Sequence, residues 1–399
     1  MILFASSCGP KRHKTRIDPL VMKIAIDLTA LLKHHTGVDV YTMELAGHLS
    51  RLETGNSFTV LANFEDRPML HSLLNDRCHI VPISFRSRVA RLIALQALVP
   101  ALVALRGTQV VHYPSFFMPF LRGKAKHVIT VHDLTSFSMP DHHIRLRRSP
   151  LYLKLLAASV RRADRICVPS RATQQELQQY FPELDSDRIR VIPHGVGEEF
   201  RPPSAEQISA ARARLRIEWP YILYVGTLAS RKNLPHLLES YKNLIGNGAI
   251  VEHLLLAGLR ESGSRDLLRK LESHELRERV HFLGYVSKED LPPLYGGARL
   301  FVYPSLNEGF GLPPFEAMAC GVPAIVSDAP AFTENLSGAA EIVPLTDTEA
   351  LTRAMRRLLL DSSLYARRRE AGLERVKAFC WQRTAAETMR CYEELVDKP

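Results

Sequence analysis

The chain has 399 residues, enough for two or three domains with a large buried core. Its composition, 46% hydrophobic and 24% charged with 21 Gly and 25 Pro, is that of a folded globular protein and excludes disordered and fibrous classes. With 52 Lys and Arg against 42 Asp and Glu the net charge is +10, which favours anionic partners such as phosphates, acidic membrane surfaces or nucleic acid.

In chain order, residues 1–21 read as a disordered extension ahead of Met22, because the apolar stretch of MILFASSCGPKRHK is too short for a signal peptide. The six cysteines are scattered, with no C-x-x-C pair, as suits a reducing cytosol, so the expected location is cytoplasmic. From Met22 short β-branched runs alternate with amphipathic helices, the pattern of parallel α/β layers. Strands are expected at 23–28, 109–113, 127–131, 165–168 and 189–192. Helices are expected from Thr36-Gly37 and over Leu151 to Arg162. The apolar run Leu92 to Leu105 is too short to cross a bilayer and reads as a core helix. Flanking Arg86, Arg88, Arg91 and Arg106 leave a helix lying on an anionic membrane as a second reading.

Phe200-Arg201-Pro202-Pro203-Ser204 removes two backbone donors and marks an interdomain linker. Beyond it the α/β pattern restarts, with strands expected at 221–226, 251–257, 280–283, 300–303, 324–327 and 341–343 and a helix over 233–244. The fold class is therefore α/β: an N-terminal Rossmann-like domain over 22–200 and a second one over 201–375. The last segment, Leu364 to Leu395, reads as helical, and its final part, 376–399, is expected to cross back to the first domain. Ligands of two such facing sheets sit in the cleft beyond the strand ends.

Two segments carry chemistry. Glu308-Gly309-Phe310-Gly311-Leu312-Pro313-Pro314-Phe315-Glu316 follows a strand and opens a helix, so its glycines allow close approach and its helix start favours an anion such as a diphosphate. Gly226-Thr227-Leu228-Ala229-Ser230-Arg231-Lys232-Asn233 places two cations at a helix start, a position unfavourable for the dipole unless an anion lies beside it. Truncating either cation is therefore expected to cost turnover and to leave stability almost unchanged.

Together with Val131-His132-Asp133-Leu134 and Ile192-Pro193-His194-Gly195-Val196, these segments make the chain resemble the retaining glycosyltransferases of family 4, which have the GT-B fold. The resemblance spans nearly everything from Met22 onward and is greatest to mannosyltransferase-like bacterial members acting on surface polysaccharides. It implies that Arg231 and Lys232 neutralise the donor diphosphate, that Glu316 binds the ribose and that Glu308 binds a donor-sugar hydroxyl. Gly309, Phe310, Gly311 and Leu312 would supply backbone amides, with Gly226 and Gly37 also on the donor. His132 would lie near the transferring sugar. Asp39 replaces the second glycine usual in the first-domain loop, and His194 stands where many relatives have Asn, so it is left outside the site.

The implied partners are a nucleotide-diphosphate sugar, GDP-mannose first and a UDP-sugar second, and a glycan or lipid-linked acceptor, with peripheral membrane contact as a further reading. No cofactor or metal is expected: Asp185-Ser186-Asp187 is read as a turn. His34-His35 and His142-His143 lack ligand partners at metal spacing. The arginines at 145, 147, 148, 161, 162 and 165 read equally as a solvated helix face or as a surface for an anionic acceptor. A nicotinamide enzyme is excluded because no G-x-G-x-x-G follows either first strand. Nucleic acid is not expected as a partner, because no recognised binding signature accompanies the charge.

Overall fold

The computed structural model describes residues 21–31, 36–83, 88–142, 149–246, 250–260 and 274–397. The proposed disordered extension, apart from Val21, lies outside them, as do His34, His35, His143, Arg86, Arg145, Arg147 and Arg148. Two parallel sheets organise the chain. The first contains β1 (Lys23–Asp27), β2 (Ser57–Ala62), β3 (Cys78–Pro82), β4 (Val110–Tyr113), β5 (Lys126–Thr130), β6 (Arg165–Val168) and β7 (Ile189–Val191), in the order β3-β2-β1-β4-β5-β6-β7. The second contains β8 (Tyr221–Val225), β9 (His253–Ala257), β10 (Val280–Gly284), β11 (Leu300–Tyr303), β12 (Ala324–Ser327) and β13 (Glu341–Val343), in the order β10-β9-β8-β11-β12-β13. Each sheet starts at its centre and reverses direction once, which opens a crevice at the carboxyl ends of the central strands.

Because both faces of each sheet are covered, the central strands are apolar without alternation: β4, β6, β11 and β12 are buried throughout. Strands β2 and β3 escape the sequence reading. β3 is the edge strand and β2 lies one place inside it; β3 (CHIVP) is mostly half-buried and includes a histidine and a proline, which blunts its β signal. The apolar run forms the helix Arg88–Arg106, with Leu95, Val99 and Val103 buried and Leu98 and Leu105 exposed.

The linker prolines precede the helix Ala205–Leu215, whose start is closed by a capping box between Ser204 and Gln207. The C-terminal segment is two helices, Ser362–Val376 and Trp381–Val396. The first packs on the helix Leu312–Ala319 of the second domain, and the second packs on the helix Gly37–Arg51 and on β6 of the first. The crossing is tied by polar contacts: His112 Nδ1 lies 2.6 Å from the Tyr392 hydroxyl, Thr384 donates to Pro193 O at 2.8 Å, and Arg190 pairs with Glu394 at 2.7 Å. Trp381, Met389 and Tyr392 are buried along this seam.

Candidate active site

The loop after β11 turns into the helix Leu312–Ala319 through Gly311, whose φ of 78° is strained for any other residue. A Cβ there would also come within 2.5 Å of the Phe332 ring. Pro313 and Pro314 occupy the first turn, where no amide is needed. The amides of Gly309, Phe310 and Gly311 donate to no protein acceptor among the described residues. Phe310 and Leu312 are buried, with Phe310 stacked on Phe315 at 4.4 Å between ring centroids, so their side chains anchor the loop from below.

Gly309 has a different constraint. Its backbone faces the first domain, and a Cβ there would overlap the His132 carbonyl oxygen. The two domains thus touch at the site. Around that point Thr173 donates to Gly309 O at 3.3 Å, and Glu334 accepts the amides of Arg171 and Ala172 at 2.9 and 2.8 Å.

Both cations converge on Glu308. Lys232 ends the short turn Ser230–Lys232 after β8, is 5% exposed, and forms an ion pair with Glu308 Oε1 while donating to the Tyr303 hydroxyl at 2.7 Å. Arg231 lies 3.4 Å from the same oxygen, and Ser305 donates to it at 2.7 Å. Burial alone would raise the Glu308 carboxyl, but Lys232, Arg231 and Ser305 outweigh it and hold it below the usual carboxylate range. Burial and Arg231 lower the Lys232 ammonium to about 8, against the pull of Glu308. Lys232 is therefore not part of a solvated turn, which corrects the expectation that its truncation leaves stability unchanged. Removing one partner of a buried pair strands the other charge. Gly226 follows β8 directly, and its amide donates to Ala257 O at 2.9 Å.

Eight residues on, Glu316 lies inside the helix and accepts from the Tyr295 hydroxyl at 2.7 Å. Burial, with Glu199 adding to it, raises its carboxyl to about 7 despite that hydrogen bond and the nearby Lys288. Lys288 itself bridges Glu199 at 2.9 Å and Glu44 at 3.0 Å, linking the second domain to the first.

On the first domain, Gly37 opens the helix Gly37–Arg51 and faces open space, while Asp39 accepts from both the amide and the hydroxyl of Thr36 at 2.7 and 2.8 Å. Asp39 thus closes the helix start in place of a second glycine. His132 follows β5, with Nε2 2.8 Å from Pro114 O and Nδ1 3.3 Å from His194 Nε2. Burial lowers both imidazoles, His194 far below its ordinary range, so both rings are neutral at pH 7. His194, set aside on sequence, is therefore in the site's inner layer. Its segment, Ile192 to Val196, was marked on sequence, but the contact with His132 was not, because it spans 62 positions and two loops.

Among the described residues no group of three or more His, Cys, Asp or Glu is placed to hold a metal ion. Asp185 accepts from Asp187 N at 2.9 Å, making a capped turn. Arg161 and Arg165 are engaged by Glu183 and by the Asp187 carbonyl, and Arg162 by the Phe120 carbonyl. No described helix is long and apolar enough to cross a membrane.

Two facing Rossmann-like domains, joined at a cleft lined by paired cations, a free-amide helix start and two half-buried carboxylates, define a GT-B glycosyltransferase. Residues 35–200 match Glycosyltransferase Family 4 and residues 208–375 match Glycosyl transferases group 1. The O-antigen chain mannosyltransferase B of Escherichia coli is 33% identical over 288 residues, which is 72% of this chain and 74% of that protein. The chain belongs to the family 4 glycosyltransferases and is a hexosyltransferase. Among solved structures, a sucrose-phosphate synthase from Thermosynechococcus elongatus superposes with a TM-score of 0.73 at 24% identity, covering 94% of this chain and 99% of that one. Anabaena HepE in complex with UDP-glucose superposes with a TM-score of 0.73 at 17% identity, covering 93% and 100%.

Proposed function

We propose that the chain transfers mannose from GDP-mannose, with retention at the anomeric carbon, to a glycan or lipid-linked acceptor during surface polysaccharide synthesis. The convergence of Arg231 and Lys232 on Glu308 beside the free amides of 309–311 carries the reading. In this reading the cluster supplies fixed positive charge and hydrogen-bond donors to a diphosphate that gains charge as the glycosidic bond breaks. Such preorganised donors stabilise a leaving group without reorganisation. The 33% identity to an O-antigen mannosyltransferase favours mannose and a polysaccharide product.

In this reading Glu308 accepts a hydroxyl of the donor sugar and Glu316 accepts the ribose hydroxyls. The acceptor hydroxyl attacks the anomeric carbon on the face the diphosphate leaves, a new C–O bond forms as the old one breaks, and the leaving phosphate takes the proton. His132 borders the sugar from the first domain as a neutral, doubly hydrogen-bonded ring. No metal takes part, since the two cations do its electrostatic work. The exposed Leu98 and Leu105, with Arg106 beside them, suit peripheral contact with an anionic bilayer at the cytoplasmic face.

A thermal-shift and turnover comparison of GDP-mannose, UDP-glucose and ADP-glucose tests the donor. A ligand at 100 times its Kd stabilises by about 2.7 kcal/mol. Response to a UDP-sugar alone would replace the donor assignment, a second reading favoured by the UDP-glucose complex of HepE. A β-linked product from the α-linked donor would refute retention. Loss of turnover in EDTA with recovery on manganese would refute metal independence.

A further inference from the structure

His194 sits in the loop after β7 with its side chain enclosed by three separate parts of the chain. Tyr41 of the opening helix, Phe310 of the donor-domain loop and Trp381 of the terminal helix have ring centroids 4.4, 5.1 and 6.0 Å from it. The ring is 5% exposed, and the Trp381 indole lies nearly parallel to it at 22°. Next to it, Gly195 runs so close to the Cys380–Trp381 backbone that a Cβ would overlap it, so the loop cannot slide.

Hydrogen-bond chemistry then sets every proton. A carbonyl only accepts, so His132 Nε2, facing Pro114 O, carries the hydrogen. In a neutral ring His132 Nδ1 is then an acceptor, and His194 Nε2 must be the donor to it. His194 Nδ1 is left as a buried lone pair with no partner among the described residues. A group kept buried with one unsatisfied nitrogen, where a phenyl ring would pack without that cost, points to a purpose other than stability.

We propose that His194 is a positioning residue for glycosyl transfer: its Nε2–H holds the His132 imidazole in one tautomer and one plane, and so aligns the acceptor-domain side of the transferring sugar. The inference rests on the reading that His132 borders that sugar. Phe310 of the donor loop packs on His194, and Gly309 packs on the His132 carbonyl, so the ring pair also touches the second domain. His132 has no nitrogen left to act as a base in this arrangement. Its contribution is geometric, and small misplacements of a reacting group are costly.

The test uses the full-length protein with His194→Phe, which keeps the aromatic packing but not the donor, and His194→Gln, whose amide places a donor near the same point. His132→Ala is the control. The expected result for His194→Phe is a fall in kcat of about tenfold or more. Its donor KM should stay within about twofold and its melting temperature should stay level or rise, while His194→Gln recovers most of the turnover. Ring 15N spectra should show His132 Nδ1 shifting toward a free acceptor in His194→Phe and returning in His194→Gln. Normal kcat in a folded His194→Phe, alongside a defective His132→Ala, overturns the role of His194 alone. Normal turnover in His132→Ala overturns the underlying site reading and the inference with it. Losses that track melting temperature, or absence of rescue in His194→Gln, reduce His194 to a packing residue.

Discussion

Glu308 and Glu316 are the same residue type, eight positions apart, both half-buried at the same cleft, yet their surroundings push them in opposite directions. Glu308 lies among two cations and two hydroxyls and is held ionised. Glu316 lies against one tyrosine hydroxyl, with Glu199 and Lys288 near it, and burial raises it to about 7. Carboxyl environment is set by what the fold brings alongside, and such divergence marks two distinct tasks. The first group is part of a charge network suited to a diphosphate and a sugar hydroxyl, and the second is a carboxyl that changes charge near neutral pH and is suited to ribose.

Breaking the Glu308 network should have the largest effect. Lys232→Ala is expected to lower turnover about 100-fold or more at saturating donor. It should also destabilise the protein by about 3 kcal/mol, because Glu308 is left under-compensated in the interior. Adding Glu308→Ala to Lys232→Ala should recover most of the stability and none of the turnover. Steady-state kinetics and melting curves of the single and double variants measure this, and independent, additive effects would show that the two side chains are not coupled.

The next effect belongs to Glu316 and is read from pH. A carboxyl raised on folding contributes stability that is full below its unfolded value near 4.5 and is lost as pH rises through about 7. Glu316→Gln keeps the neutral form at every pH, so its stability advantage over the parent chain should grow from about 1 kcal/mol at pH 5 to about 3 kcal/mol at pH 8. A constant difference across that range would mean that Glu316 is ionised throughout.

At the same pH 8, Glu316→Gln should raise the donor KM about tenfold and leave kcat within about threefold, since ribose contacts are alike in ground and transition states. The smallest change is expected for Tyr295→Phe, which removes one hydrogen bond worth about 1 kcal/mol and moves the Glu316 midpoint further up. A downward shift of that midpoint would show that the tyrosine favours the neutral carboxyl.

Much of this arrangement was legible in the residues alone. Strands β6, β11 and β12 coincide with the expected runs, because a strand covered on both faces needs a largely apolar one. The glycines and prolines of 309–314 announce a close-approach loop and a helix start through local backbone chemistry. The edge strand β3 was not legible, since an edge position relaxes the demand for apolar residues, and β2 beside it was not read either. The break at 377–380 that splits the C-terminal segment into two helices also lacks a glycine or proline to mark it.

What the sequence determined by itself is therefore whatever depends on neighbours in the chain: strand cores, turns, helix starts and the motif order that places the protein in its family. Only the tertiary structure decided the pairings across distance. Lys232 is a buried partner of Glu308 rather than a solvated cation, Glu316 is raised by its pocket, and His194 holds His132 from 62 residues away. Side-chain charge and hydrogen bonding depend on burial and on the identity of the facing group. Those quantities exist only once the two sheets and the terminal helix have closed on one another.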